Sequence, residues 1–220
     1  MARKNKKKVF PALEVIDAGA KGKAIAKAPD GKVVFIDNAV PGDVADVQTY
    51  KKRKAYYNGK VANYVSYSDK RTEPVCQHFG TCGGCKWQNM DYKYQLFYKQ
   101  QEVENNLKRL GKIDLPETTP IAGSKEIYFY RNKMEFSFSD SKWLTLDEIK
   151  SGVEIEDKNA LGFHIPGMWD KILNIKKCHL QADPSNAIRN EVRDFASKNN
   201  IGTYSSAIGI RPCGRDFTNS

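Results

Sequence analysis

A chain of 220 residues with 40% hydrophobic and 28% charged side chains holds enough apolar material for one large or two modest cores. No run of eighteen apolar residues occurs, which excludes a membrane-spanning helix, and the charged start Met1-Ala2-Arg3-Lys4 has no apolar stretch behind it, so no secretory signal is expected. The formal net charge of +10 is unevenly placed: residues 1–75 hold 16 of the 36 Lys and Arg but only 8 of the 26 Asp and Glu. That excess points to a polyanion partner, nucleic acid first, in a cytoplasmic protein taken to be a monomer.

Residues 1–9 read as a basic tail. Residues 10–70 read as short strands at 13–17, 23–27, 33–37, 43–49 and 60–67. Ala18-Gly19, Pro29-Asp30-Gly31, Pro41-Gly42 and Asn58-Gly59 supply the turns between them. Five strands in so short a span predict a small OB-like barrel, an architecture that binds single-stranded nucleic acid through basic and aromatic side chains. Lys51, Lys52, Arg53 and Lys54, followed by Tyr56 and Tyr57, fall between the last two strands and are the candidate RNA contacts of this segment.

Next comes Cys76-Gln77-His78-Phe79-Gly80-Thr81-Cys82-Gly83-Gly84-Cys85. Three cysteines within ten positions, interrupted by two glycines, are the spacing of a metal-binding loop in a reducing compartment. A distant fourth ligand is needed; Cys178 is the candidate, with His78 and His179 as competitors. Structural zinc generally uses two matched knuckles, and only one C-x2-C pair is present. The pattern is closer to iron–sulfur spacing, with zinc as the alternative. Cys213 has no partner in sequence and reads as a plain thiol.

Beyond the loop, Asp91 is positioned to cap a helix to about residue 110. Leu96, Val103, Leu107 and Leu110 form its apolar stripe, and Gly111 ends it. Pro116 and Pro120 mark a linker. Residues 130–138 alternate as a strand that would display Arg131 and Lys133 on one face, adding them to the RNA-binding set. A short helix at 146–150, strands at 160–165 and 169–175, and a helix from 184 to 198 capped by Asp183 complete a mainly β, α+β reading. Residues 71–200 form the cluster loop and central domain, and 201–220 an atypical tail.

These residues together resemble the RNA uracil-C5 methyltransferases that carry an N-terminal TRAM domain and a 4Fe–4S cluster. The stretch Gly19-Ala20-Lys21-Gly22-Lys23-Ala24-Ile25-Ala26 with Val40-Pro41-Gly42-Asp43 is similar to TRAM. Cys82-Gly83-Gly84-Cys85-Lys86-Trp87-Gln88 is similar to the family's CGGC-x-x-Q element. Tyr130-Arg131-Asn132-Lys133 resembles the first strand of its central domain, and Leu161-Gly162-Phe163 precedes Cys178 in the family's order. The resemblance implies a 4Fe–4S cluster on Cys76, Cys82, Cys85 and Cys178. It also implies methyl transfer from S-adenosylmethionine to C5 of a uridine in ribosomal or transfer RNA. In that chemistry a cysteine adds to C6 of the base and a carboxylate removes the C5 proton. The chain departs from the family in one respect. It shows no Gly-x-Gly cofactor loop, no Asp-Pro-Pro-Arg segment and no catalytic cysteine motif, so no complete Rossmann domain, no catalytic residue and no methylation are expected of this fragment. Two readings compete: a nucleic-acid-binding module with structural zinc, and a radical-SAM methylthiotransferase. The second is disfavoured because such enzymes use C-x3-C-x2-C and carry TRAM at the opposite end.

Overall fold

The computed structural model describes residues 8–199 and residue 201. They divide into two compact units, the first drawn from Met1–Val75 and Cys85–Lys125, the second from Cys76–Gly84 and Glu126–Ser220. The expected five-stranded barrel is present and closed, the expected α+β part contains a separate three-stranded sheet, and no complete Rossmann domain occurs among the described residues.

In the first unit, β1 (Val9–Gly19), β2 (Lys23–Lys27), β3 (Val33–Asp37), β4 (Val44–Lys52) and β5 (Tyr56–Ser66) close in the order β1-β2-β3-β5-β4. Strands β3 and β5 are parallel, and the other pairs are antiparallel. The barrel closes because each strand turns its β-branched and small apolar side chains inward. Phe10, Val15, Val34, Ile36 and Val47 are 2% exposed or less, and each such burial stabilises by about 1.5–3 kcal/mol for the larger residues. Strand β1 bends around the barrel through register shifts at Phe10/Leu13 and Val15/Asp17.

Two expected turns lie elsewhere. Ala18 and Gly19 end β1, and the chain turns through a 3-10 segment at Ala20–Gly22. Asn58-Gly59, read as a turn, sits inside β5, and the β4–β5 reversal is made near residues 53–55, closed by Arg53 N–H donating to Tyr56 O at 2.8 Å. The reason is packing. A Cβ at position 59 would lie 2.6 Å from Val47 Cγ1, so glycine is needed for β4 and β5 to approach, not for a reversal.

The Val40-Pro41-Gly42-Asp43 turn carries the barrel's buried charge. Gly42 takes a φ of +97°, and the Asp43 carboxylate, fully buried, accepts from Val40 N–H at 2.7 Å and Ser68 N–H at 3.0 Å. Arg71 adds a bidentate pair through Nε at 2.7 Å and Nη2 at 2.8 Å. A carboxylate withdrawn from water is tolerable only with its lone pairs met in this way.

Helix α1 (Tyr92–Arg109) begins, as expected, with Asp91 accepting from Lys93 N–H at 3.0 Å. Its packed side differs from the expected stripe. Tyr98 is the buried residue, set in a cluster with Ala18, Val40 and Met90, whereas Val103, Leu107 and Leu110 are exposed. Helical spacing alone does not fix which side faces the barrel, and here the side with Tyr98 is the one that packs.

In the second unit, β6 (Ser137–Ser139), β7 (Ala160–Ile165) and β8 (Met168–Asn174) form an antiparallel sheet in that order. Helix α2 (Leu146–Lys150) opens with a capping box between Thr145 and Glu148, and α3 is Ser185–Lys198. The strand expected over 130–138 shrinks to β6. Residues 129 and 131 instead donate backbone N–H groups to His179 O at 2.9 Å and Leu180 O at 2.8 Å, outside any regular strand. Pro184, not Asp183, holds the cap position of α3; the Asp183 carboxylate accepts from Asn186 Nδ2 at 3.2 Å. The tail expected at 201–220, with Cys213, lies outside the described residues apart from Ile201.

Candidate functional site

The cysteine loop is built from tight backbone turns. Phe79 N–H donates to Cys76 O at 2.9 Å, and Cys82 N–H donates to His78 O at 3.0 Å. Gly80 and Gly83 take φ of +83° and +72°. A Cβ at Gly83 would lie 2.3 Å from Pro166 Cγ, and one at Gly84 would lie 3.3 Å from Cys82 Sγ, so the double glycine keeps the space beside that sulfur open.

Cys178 follows β8 and is 8% exposed. Its peptide is held at two points by Asn186 on the first turn of α3: Cys178 N–H donates to Oδ1 at 2.8 Å, and Nδ2 donates to Cys178 O at 3.1 Å. The loop and this segment meet through His78, whose Nε2 accepts from Lys176 N–H at 3.2 Å across 98 positions of sequence. Burial pushes the Cys76 thiol up, and the nearby Cys178 sulfur adds to the rise. Two of the expected sulfurs, far apart in sequence, are thus electrostatic neighbours.

His78, a competing ligand candidate, uses its Nε2 to accept the Lys176 N–H. Burial, then the cations of Arg189 and Lys176, lower its pKa. An Nε2 that accepts places the ring proton on Nδ1 in this arrangement. His179 packs against the rings of Tyr128 and Phe129, with centroids at 6.3 and 6.0 Å.

Sequence reading missed Arg189. It lies 4% exposed on α3, donating through Nε to Ile175 O at 3.0 Å and through Nη2 to Lys176 O at 2.9 Å, with its guanidinium 5.0 Å from the Phe136 ring centroid. Its Nη1 has no hydrogen-bond partner. Burial lowers its pKa, opposed by the Cys178 sulfur close by. A buried cation with a spare donor near the Cys178 sulfur would suit a centre that carries negative charge. Soft sulfur donors, an open cradle at Gly84 and this cation fit a thiolate-bound metal group. Cys85 groups with the first unit, and among the described residues no three His, Cys, Asp or Glu side chains gather closely enough to hold a single metal ion.

The basic candidates separate by position. Lys51, Arg53 and Lys54 are exposed at the β4–β5 reversal, and the backbone of Lys52 ends β4. Tyr57, expected beside them as an RNA contact, is instead 3% exposed in the barrel core, edge-on to Phe10 at 5.1 Å and donating to Asp30 Oδ2 at 2.7 Å. Tyr56 packs on Phe35 at 5.3 Å. In the second unit Arg131 and Lys133 are exposed, and Lys133 pairs with Glu135 at 3.0 Å.

The described residues thus comprise a closed five-stranded barrel and a cysteine loop braced onto the segment that leads to Cys178. Comparison with known proteins finds relatives. The chain is 53% identical over 177 residues to an uncharacterized RNA methyltransferase of Bacteroides thetaiotaomicron, covering 80% of this chain and 39% of that protein. It is 42% identical over 186 residues to one of Porphyromonas gingivalis (83% and 40%) and 35% identical over 196 residues to one of Chlorobaculum tepidum (88% and 41%). Among solved structures it is similar in fold to a Pyrococcus abyssi tRNA (uracil-54, C5)-methyltransferase in complex with S-adenosyl-L-homocysteine. The TM-score is 0.53 at 20% identity, covering 88% of this chain and 38% of that one. No family model matches. Over the part that it shares with them the chain is similar to these RNA methyltransferases, and it spans about two-fifths of the length of these curated relatives.

Proposed function

We propose that this chain is the RNA-binding, cluster-bearing portion of an S-adenosylmethionine-dependent RNA uracil-C5 methyltransferase acting on ribosomal or transfer RNA in the cytoplasm. The observation that carries the reading is the bracing of the cysteine loop, by His78, onto the segment leading to Cys178, within a chain akin to RNA methyltransferases. In this reading residues 10–70 are the TRAM, OB-like barrel and 71–200 the central domain with its cysteine loop. Cys76, Cys82, Cys85 and Cys178 would hold a 4Fe–4S cluster, whose chemistry here is architectural: it ties the loop to the late segment. Asn186 fixes the Cys178 peptide, His78 holds the loop backbone in place, and Arg189 offsets negative charge at the sulfurs.

The methyl donor is a different matter. Among the described residues there is no parallel strand–helix–strand unit and no glycine loop closing a strand into a helix, so the residues present do not fit S-adenosylmethionine and no methyl-transfer step is assigned to them. Methylation is expected to need the portion of the relatives that this chain does not span.

For RNA, Lys51, Lys52, Arg53 and Lys54 offer charge at one barrel reversal, and Arg131 and Lys133 a second patch. Neutralising about four phosphates would make log K fall with log salt at a slope of about −3 on single strands. Titrating labelled single-stranded RNA across salt concentrations tests this. A slope near zero, or no binding, would remove RNA as the partner, and incorporation of labelled methyl by the chain alone would overturn the division of labour.

A further inference from the structure

The barrel carries a cleft that none of the basic candidates lines. It has a volume of about 450 Å³ and lies between the end of β3 and the outer part of β5, with Asp37, Asn38, Lys60, Asn63, Tyr64 and Tyr67 around it. Asp37 and Lys60 are register partners across the parallel pair, so the cleft opens where the two strands run side by side.

One wall is aromatic and rigid. The rings of Tyr64 and Tyr67 stand 4.8 Å apart, tilted by 37°. The Arg71 guanidinium sits 4.7 Å from the Tyr64 centroid and 5.1 Å from the Tyr67 centroid, and is itself fixed by the buried Asp43. Tyr64 Oη donates to Asn38 O at 3.2 Å, and Asn38 holds a φ of +62° that presents this carbonyl. Tyr67 is nevertheless 68% exposed. A phenol ring braced from behind by a cation and a second ring, with its outer side bare, contributes little to the barrel core; it is a platform for another flat group.

The rest of the lining says which flat group. The Asp37 carboxylate is engaged with Lys23 and accepts from Tyr50 Oη at 2.8 Å, so the Lys23 ammonium is committed to it and not offered to a phosphate. The Asn63 amide and the Asp37 carboxylate instead suit the N–H and carbonyl edge of a nucleobase, while the exposed Lys60 is placed for a phosphate at the rim. We infer that this cleft is a nucleobase subsite in which an unpaired base of single-stranded RNA stacks on Tyr67. The inference rests on the RNA-binding reading above and adds the location and the strandedness of its ligand.

The test is fluorescence anisotropy of the full chain with a labelled single-stranded RNA of about 12 nucleotides and with the matching duplex. The proteins compared are wild type, Tyr67→Ala, Tyr67→Phe and Lys51→Ala/Lys54→Ala. Stacking of one base predicts a loss of roughly 5- to 100-fold in single-strand affinity for Tyr67→Ala with an unchanged salt slope. Tyr67→Phe should stay within about twofold of wild type, and duplex binding should not respond to either change. Single-strand affinity of Tyr67→Ala within about twofold of wild type, while the double lysine variant still lowers the salt slope, would overturn the subsite and leave the RNA reading standing. Equal losses on duplex and single strand would also overturn it. Failure of wild type to bind either RNA would bring down both.

Discussion

Both compact units bury apolar side chains, Ile172, Leu173 and Ile175 among them in the second, but they differ in how their charged groups are satisfied. The barrel rests on a continuous apolar cluster from Phe10 to Tyr57, with one buried ion pair at Asp43 and Arg71 whose hydrogen bonds are met inside the unit. The second unit has a three-stranded sheet with one very short strand, and the segment at Cys178 is ordered by polar contacts: the Asn186 clamp, the His78 bond and the buried Arg189 with a donor left over. A barrel of the first kind is stabilised chiefly by hydrophobic burial. A segment of the second kind leaves a buried donor on a cation, which the proposed cluster, if bound, would face with negative charge.

The largest expected effect separates the units outright. Cys178→Ser or Cys82→Ser should abolish iron uptake and strip hydrogen-exchange protection from β7, β8 and α3, while the barrel strands keep theirs. Equal loss in both units would erase the contrast. Next in size, Asp43→Ala should destabilise the barrel by about 3–5 kcal/mol, because Arg71 and the Val40 and Ser68 N–H groups lose a shared buried acceptor. Chemical denaturation followed by a barrel-specific probe would show it, and a cost below about 1 kcal/mol would contradict the account.

Smaller again, Arg189→Met should cost the apo protein about 1–3 kcal/mol, since Ile175 O and Lys176 O lose a buried donor. The same change should lower the retention of iron. Stability and iron content measured on the same preparations distinguish this from a purely structural arginine, for which only the first would move.

The smallest effect is a pH dependence confined to the barrel. The Tyr57 hydrogen bond, and then the Lys32 N–H and the Lys32 and Lys8 cations against the cost of burial, hold Asp30 below its ordinary 3.8. A carboxyl depressed in the folded state stabilises it above the unfolded value, and that advantage fades as pH falls through the lower folded value. Wild-type thermal stability should therefore decline more than that of Tyr57→Phe as pH drops from about 5 to about 2. Parallel declines would remove the bond from the ledger.

How much of this was legible in sequence follows the same divide. Alternation and turn chemistry located β2 and β3 at their observed bounds, because short amphipathic strands announce themselves locally. Asn58-Gly59 misled because a glycine that permits close strand approach looks like one that permits a turn; only the Val47 contact tells them apart. The helix face was misread because leucines at helical spacing weigh more in a sequence pattern than the tyrosine that packs. At the site, cysteine spacing marked the loop and Cys178. Arg189 and Asn186 carried no signal, since an Arg and an Asn on a polar helix look solvent-facing until the peptide they hold is known. Tyr64 and Tyr67 read as part of a strand and its end, and their shared brace at Arg71 is a tertiary fact.

The most direct test of the account is anaerobic reconstitution of the purified chain with iron and sulfide, followed by metal and sulfide analysis beside the visible spectrum. One 4Fe–4S cluster on Cys76, Cys82, Cys85 and Cys178 predicts a brown protein with four irons and four sulfides per chain, lost together in Cys178→Ser. A colourless protein that takes one zinc per chain, or iron uptake indifferent to Cys178, would contradict it.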